Sequence, residues 1–189
     1  MSDLSDTIQE STEHARESKI NAKVAVWVAL TATFMALCNV KDGNVVQAMS
    51  QAQAHSIDAW SYYQAKSTKQ AILENAVDLL KAQKTPGYED LVQKDEQKIA
   101  SYEKEKGEIK KLAEGFEKEY EAINVFDDQF DMTDAFLSIA IAMFGITALT
   151  QKKWLLYFAS SIAVLGMIFG LTAFLHISLH SDLISKILG

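Results

Sequence analysis

Three stretches of this chain are apolar throughout: about Val24 to Val40, about Ala135 to Thr150, and Trp154 to about Leu175. None of them contains Lys, Arg, Asp or Glu. A membrane span takes ~20 mostly apolar residues, because ~30 Å of hydrocarbon must be matched by a helix rising about 1.5 Å per residue. One charge at the centre of such a helix costs ~3 kcal/mol, so three charge-free runs predict three spans, set at residues 22–41, 132–150 and 154–176. A polar helical segment (1–21) precedes them and a tail (177–189) follows.

The long interval at 42–131 has a different pattern. Its only strong breaker is Pro86 followed by Gly87, which predicts one helix on each side of a Thr85-Pro86-Gly87 turn. In the second arm Val92, Ile99, Tyr102, Ile109, Ala113, Phe116, Tyr120, Ile123 and Phe130 fall on steps of three and four, interrupted at Asp95, Lys106 and Asp127. That is a narrow stripe facing a partner helix. The first arm offers a matching stripe of smaller residues: Met49, Ala52, Ser56, Ala59, Tyr63, Leu73, Val77 and Leu80. An antiparallel coiled-coil hairpin centred on Pro86 places Trp60 near Ala113 and Phe116, Tyr63 near Ile109, and Leu73 near Ile99. Its arms would reach ~60 Å. The predicted fold is all-α: three transmembrane helices with a long helical hairpin between spans one and two. A break or kink is expected at Asn39–Asn44, where Gly43 lies among polar residues. Asp131 or Thr133 is expected to cap the start of span two.

Of the 189 residues, 18 are Lys or Arg and 25 are Asp or Glu, for a net charge of −7. Residues 41–131 hold 12 of the basic and 18 of the acidic ones, so nearly all the excess sits in the hairpin. Such a surface argues against nucleic acid, which needs a basic face, and against anionic lipid heads as the hairpin's partner. Cys38 is the only cysteine, so no intrachain disulfide forms, and it reads as a small buried hydrophobe. A lipoprotein cleavage site fits poorly, because Leu37 stands where a small residue is needed. A cleaved signal peptide fits poorly too, because the first 20 residues are acid-rich. Arg16, Lys19, Lys23, Lys152 and Lys153 outnumber Lys41, Lys118 and Lys186 near span ends. The positive-inside rule then puts the N-terminus in the cytoplasm, and the hairpin and C-terminus outside.

Chemistry-bearing motifs are sparse. There is no phosphate-binding glycine loop, CxxC, HExxH or nucleophile elbow, so no enzyme, cofactor or metal site is expected. His176 and His180 with Asp182 form a weak metal candidate, read instead as histidines at a helix end. Gly166 and Gly170 make a GxxxG, continued by Ala159 and Ala163, that suits either packing within the chain or a subunit contact. Span one carries its own small stripe, Ala25, Ala29, Ala32 and Ala36, from which it is expected to be central in a bundle or an oligomer. Thr31, Thr33 and Asn39 are the few polar residues from which an oligomeric pore would have to be lined. Trp60, Tyr62, Tyr63, Gln64, Lys66 and Lys69 form an aromatic-basic cluster. Trp60 and Tyr62 point at least partly away from the partner arm, which suggests contacts with other hairpins or another protein.

The lead-in from Glu13 to Lys19, one span, an insert with Asp58-Ala59-Trp60-Ser61-Tyr62-Tyr63-Gln64-Ala65-Lys66, and two closely spaced spans resemble an uncharacterised family of bacterial membrane proteins, domain-of-unknown-function family 4337. The resemblance implies a bacterial inner-membrane location and brings no activity. The expected role is non-catalytic: a multi-pass protein of the lipid bilayer acting as a homo-oligomeric envelope scaffold. The alternatives are an accessory subunit of another membrane protein complex and an oligomeric channel.

Overall fold

The computed structural model describes residues 2–84 and 86–177. Their secondary structure is all helix: α1 (Ser2–Gln83), α2 (Tyr88–Thr150) and α3 (Lys153–Phe174), three long helices packed antiparallel. Each contains a stretch long and apolar enough to cross a membrane. Contacts divide the chain into two units. One is a bundle from Met1–Val46 and Asn124–Gly189, and the other is a hairpin, Gln47–Ile123.

The bundle core is Ile20, Val24, Ala140, Phe144, Leu156, Ala159 and Ala163, with Trp27, Val28 and Ile162 packed against it. Nearer the other end of the spans Cys38, Phe130 and Ala173 are buried together with Phe34, Val45 and Phe174 around them. Cys38 is thus the small buried hydrophobe its composition suggested. The face of α1 that packs here is Ile20, Val24, Trp27, Thr31, Phe34 and Cys38, again steps of three and four. For the bundle of one chain, though not for an oligomer, the expectation that span one is central is corrected. Its alanine stripe, Ala25, Ala29, Ala32 and Ala36, is exposed. The apolar window of α1 is 17% buried, against 28% in α2 and 33% in α3, so α1 is the least covered of the three. The physical reason is bulk. The larger side chains of α1 fill the space that the alanines and glycines of α3 leave open, and small residues on both partners would leave cavities.

The hairpin follows the expected seam closely. Val92 and Ala113 of α2 are buried, and Ile99, Tyr102, Ile109, Phe116, Tyr120 and Ile123 are half-buried. Opposite them, Met49, Ala52, Ser56, Ala59 and Val77 of α1 are buried, with Tyr63, Leu73 and Leu80 half-buried. α1 closes as the Lys84 N–H donates to the Leu80 carbonyl at 3.1 Å, with Lys84 at φ +47°. Gly87 follows at φ +81°, a left-handed conformation that glycine adopts without the Cβ penalty.

Of the break or kink expected between Asn39 and Asn44, the break does not occur, since every residue there is helical. An interruption would free backbone N–H and C=O groups at several positions, whereas Gly43 inside a helix costs only about 1 kcal/mol. The expected cap at Asp131 or Thr133 is absent for the same reason. α2 runs through without an N-terminus, and the Thr133 hydroxyl donates instead to the Gln129 carbonyl at 2.8 Å. α3 ends at Phe174, before His176, which sits at φ +54° past the helix.

Candidate functional site

In the hairpin, residues 60–66 and their partners on α2 form one connected polar-aromatic layer. The indole N–H of Trp60 donates to Glu117 Oε1 at 2.7 Å, and its ring meets that of Tyr63 edge-on at 5.5 Å. Lys66 pairs with Glu105 and lies over two rings, 4.7 Å from the Tyr102 centroid and 5.5 Å from that of Tyr62. From the opposite arm Lys106 lies 5.5 Å over Tyr63 and donates to Gln70 Oε1 at 3.1 Å. His55 stacks on Phe116 at 5.1 Å. These contacts put Trp60 and Tyr63 within a turn of their expected neighbours.

Lysines enter an otherwise apolar seam here because a long stem packs against aromatic faces while the ammonium reaches a carboxylate at the edge. The hydrogen bond to Glu105 raises the Lys66 pKa above its ordinary value, and the same bond lowers that of Glu105. Glu103 is lowered by its bonds to Gln70 and Lys106. Each of these directions favours the charged form of Lys66, Glu103 and Glu105. The layer can fix register and present aromatic edges. Next to it a shallow groove of about 400 Å³ is bounded by Ser56, Ile57, Trp60, Glu117 and Tyr120. Tyr62 is exposed, as its position outside the seam requires.

In the bundle, Gly166 and Gly170 face their own chain. A Cβ on Gly166 would lie 2.9 Å from Phe136 Cβ and from Leu137 Cδ2. On Gly170 it would lie 2.8 Å from Phe34, 2.9 Å from Cys38 Sγ and 3.0 Å from Thr133. A second subunit would have to displace these side chains to reach either glycine. The glycine face is thus occupied by intrachain packing, one of the two roles the motif suits.

A group that sequence reasoning did not assemble lies where α1 and α2 meet in the bundle. Asp42 hydrogen-bonds Asp127, with Asp131 close by. Burial, and then the charge of Asp127, push the Asp42 carboxyl up to about 6. Asp127 and Asp131 are raised as well, chiefly by burial. Burial and the neighbouring carboxylates thus let Asp42 keep its proton to a higher pH than an isolated aspartate would. Gln129 is buried close by in sequence, with neither amide atom bonded to protein. Asp127, Asp128 and Asp131 were visible as a charged run, but only the fold brings Asp42 to them.

The remaining candidates do not converge. His176 meets the Phe126 ring at 5.3 Å, while His180 and Asp182 lie outside the described residues. Among the described residues no group of three or more His, Cys, Asp or Glu is placed to hold a metal. Thr31 is buried within the bundle, whereas Thr33 and Asn39 are exposed, so the three share no common surface.

The family model for "Domain of unknown function (DUF4337)" matches residues 20–176. The chain belongs to this family. The match runs from the first buried residue of α1 to just past the end of α3, so it takes in both the bundle and the hairpin. No curated protein and no solved structure matches the chain. Three candidate membrane-spanning helices indicate a membrane protein.

Proposed function

We propose that the protein is a non-catalytic scaffold of the bacterial inner membrane that associates with copies of itself through α1. The orientation is the one the flanking lysines favour, with the N-terminus cytoplasmic and the hairpin periplasmic. The observation that carries this reading is the unequal charge of the two hairpin arms. Residues 47–83 contain 6 charged residues, whereas 88–123 contain 18. The α2 arm is mostly charged outside its seam, with Leu91 and Leu112 as exposed apolar exceptions. The α1 arm carries a second face, turned away from the seam, with Ala54, Ile57, Ser61, Ala65, Thr68 and Ile72 at steps of three and four. All are exposed, Ile57 by 59% and Ile72 by 61%. Within the bundle the alanine stripe of α1 is likewise exposed. Small and β-branched residues at such spacing let helices approach closely, in water and in lipid alike. A second α1 supplies a face of the same character, and two-helix hairpins of this size gain most of their stability by bundling.

The mass of the purified particle in mild detergent tests this. A single-species oligomer is expected, and Ile57→Glu with Ile72→Glu should reduce it to monomers. A monomeric wild type, or an oligomer indifferent to these changes, would remove the reading. A stoichiometric foreign chain in the particle would support the accessory-subunit alternative instead. For the orientation, a reporter fused at the C-terminus should be active only outside the cytoplasm.

A further inference from the structure

The basic residues of the bundle gather at one cavity that neither the oligomer reading nor the family match uses. Arg16, Lys19 and Lys23 lie on one side of α1 at spacings of three and four, and Lys153 is the first residue of α3. All four line a cavity of about 460 Å³, and among the described residues no carboxylate lines it. Among the described residues none of the four takes part in an ion pair, whereas Lys66, Lys81, Lys106 and Lys110 of the hairpin all do. Glu17, the nearest acid in sequence, lies 3.8 Å from His14. The first turn of α3 has no acidic residue, and its N-cap Lys152 makes no side-chain cap bond. Its free amides and dipole add positive potential beside Lys153. Four cations without counter-charges repel one another unless an anion is shared between them.

The walls say what kind of anion fits. Ile20 and Leu156 supply apolar surface, with Tyr157 beside them. Lys23 directly precedes the apolar run of α1, and Lys153 that of α3, so the cavity lies at the depth where hydrocarbon gives way to water. From Ala22 and Lys23 a second groove of about 290 Å³, almost wholly apolar, continues along Val26 and Trp27. A phosphate held above an apolar groove is the chemistry of a phospholipid, and a freely soluble anion would gain nothing from the groove.

We propose that this cavity binds an anionic phospholipid, with the headgroup phosphate shared by Arg16, Lys19, Lys23 and Lys153 and an acyl chain along Val26 and Trp27. The proposal is independent of self-association.

The full-length protein in mild detergent is titrated with short-chain phosphatidylglycerol, short-chain phosphatidylcholine and inorganic phosphate, with bound lipid and oligomeric mass read together by native mass spectrometry. Phosphatidylglycerol is expected to bind at least about tenfold more tightly than phosphatidylcholine. The R16Q/K19Q/K23Q/K153Q variant should lose that preference. The K94Q/K98Q/K104Q/K111Q variant, which removes as much charge from the hairpin, should keep it. Should the first variant fail to fold, K19Q/K153Q alone must weaken the preference. Equal binding of the two lipids, or equal losses in both quadruple variants, would overturn the proposal. So would competition by inorganic phosphate at the lipid's own concentration, which would mark a soluble-anion site.

Discussion

The bundle and the hairpin solve the same problem, holding helices side by side, with opposite materials. In the bundle, contact is made by subtraction: Ala159, Ala163, Gly166, Gly170 and Ala173 of α3 are all buried and let larger neighbours reach the backbone. In the hairpin, contact is made by addition: Tyr63, Lys66, Tyr102 and Lys106 fill the seam with rings and ion pairs. The solvent explains the difference. Lipid gives helices no hydrophobic reason to associate, so backbone proximity and dispersion must do it. Water rewards burying aromatic area and tolerates an ammonium at the seam's edge.

Glycines offer the strongest way to break this comparison. Gly170→Leu forces a side chain into Phe34, Cys38 and Thr133 and should cost about 3 kcal/mol or more, read by denaturation in mixed micelles. Gly115→Leu in the hairpin meets nothing within 4 Å and should be tolerated; equal losses at the two sites would erase the distinction. Ala113→Leu should come next, because Ala113 is fully buried where Trp60 and Phe116 crowd the seam. A loss of about 1–3 kcal/mol is expected from calorimetry of the purified protein.

The acidic group sets a pH dependence opposite in sign to that of the hairpin's Glu103 and Glu105, whose lowered pKa favours the fold with both ionised. A carboxyl at 3.8 when unfolded and about 6 when folded contributes stability that is complete below 3.8 and is lost as pH rises through 6. The thermal midpoint of the bundle should therefore be higher at pH 5 than at pH 7. Asp42→Asn should remove most of that difference, and a slope of the opposite sign would contradict the raised Asp42 carboxyl. The smallest effects belong to the exposed hairpin surface. Gly107→Ala should stabilise by about 0.5–1 kcal/mol through helix propensity alone. Lys81→Gln, which breaks an exposed pair with Glu96, should leave the thermal midpoint unchanged. Register is sharpened by a separate measurement: cysteines at positions 60 and 113 should crosslink within one chain under oxidation, and absence of that product would refute the pairing.

The hairpin was the more legible half. A two-helix seam has one partner, so the three-four spacing of Val92 through Ile123 names the buried face without further information. In the spans nearly every position is apolar, and hydrophobicity no longer distinguishes inside from outside. The alanine stripe of α1 therefore read as a packing face although it is exposed, while Ile20, Val24, Trp27, Thr31, Phe34 and Cys38 carry the contact. Only α3, where glycines mark close approach, gave its buried side away. The junction residues were misread because a charged, glycine-containing run signals a break only when the seam stops on both sides. Here Cys38, Val45 and Met49 carry the packed face of α1 straight across it.

By itself the sequence determined an all-helical chain, the three runs fit for lipid, the turn at Gly87 and the heptad that closes the hairpin. These depend on composition and on spacing along a single helix. Tertiary structure alone decided which side of α1 is covered, that Gly166 and Gly170 are used up within the chain, and that Asp42 is brought to Asp127 and Asp131. It also decided that Lys153 joins Arg16, more than a hundred residues away, around one cavity. Each of these is a relation between helices distant in sequence, which no periodicity along one helix encodes.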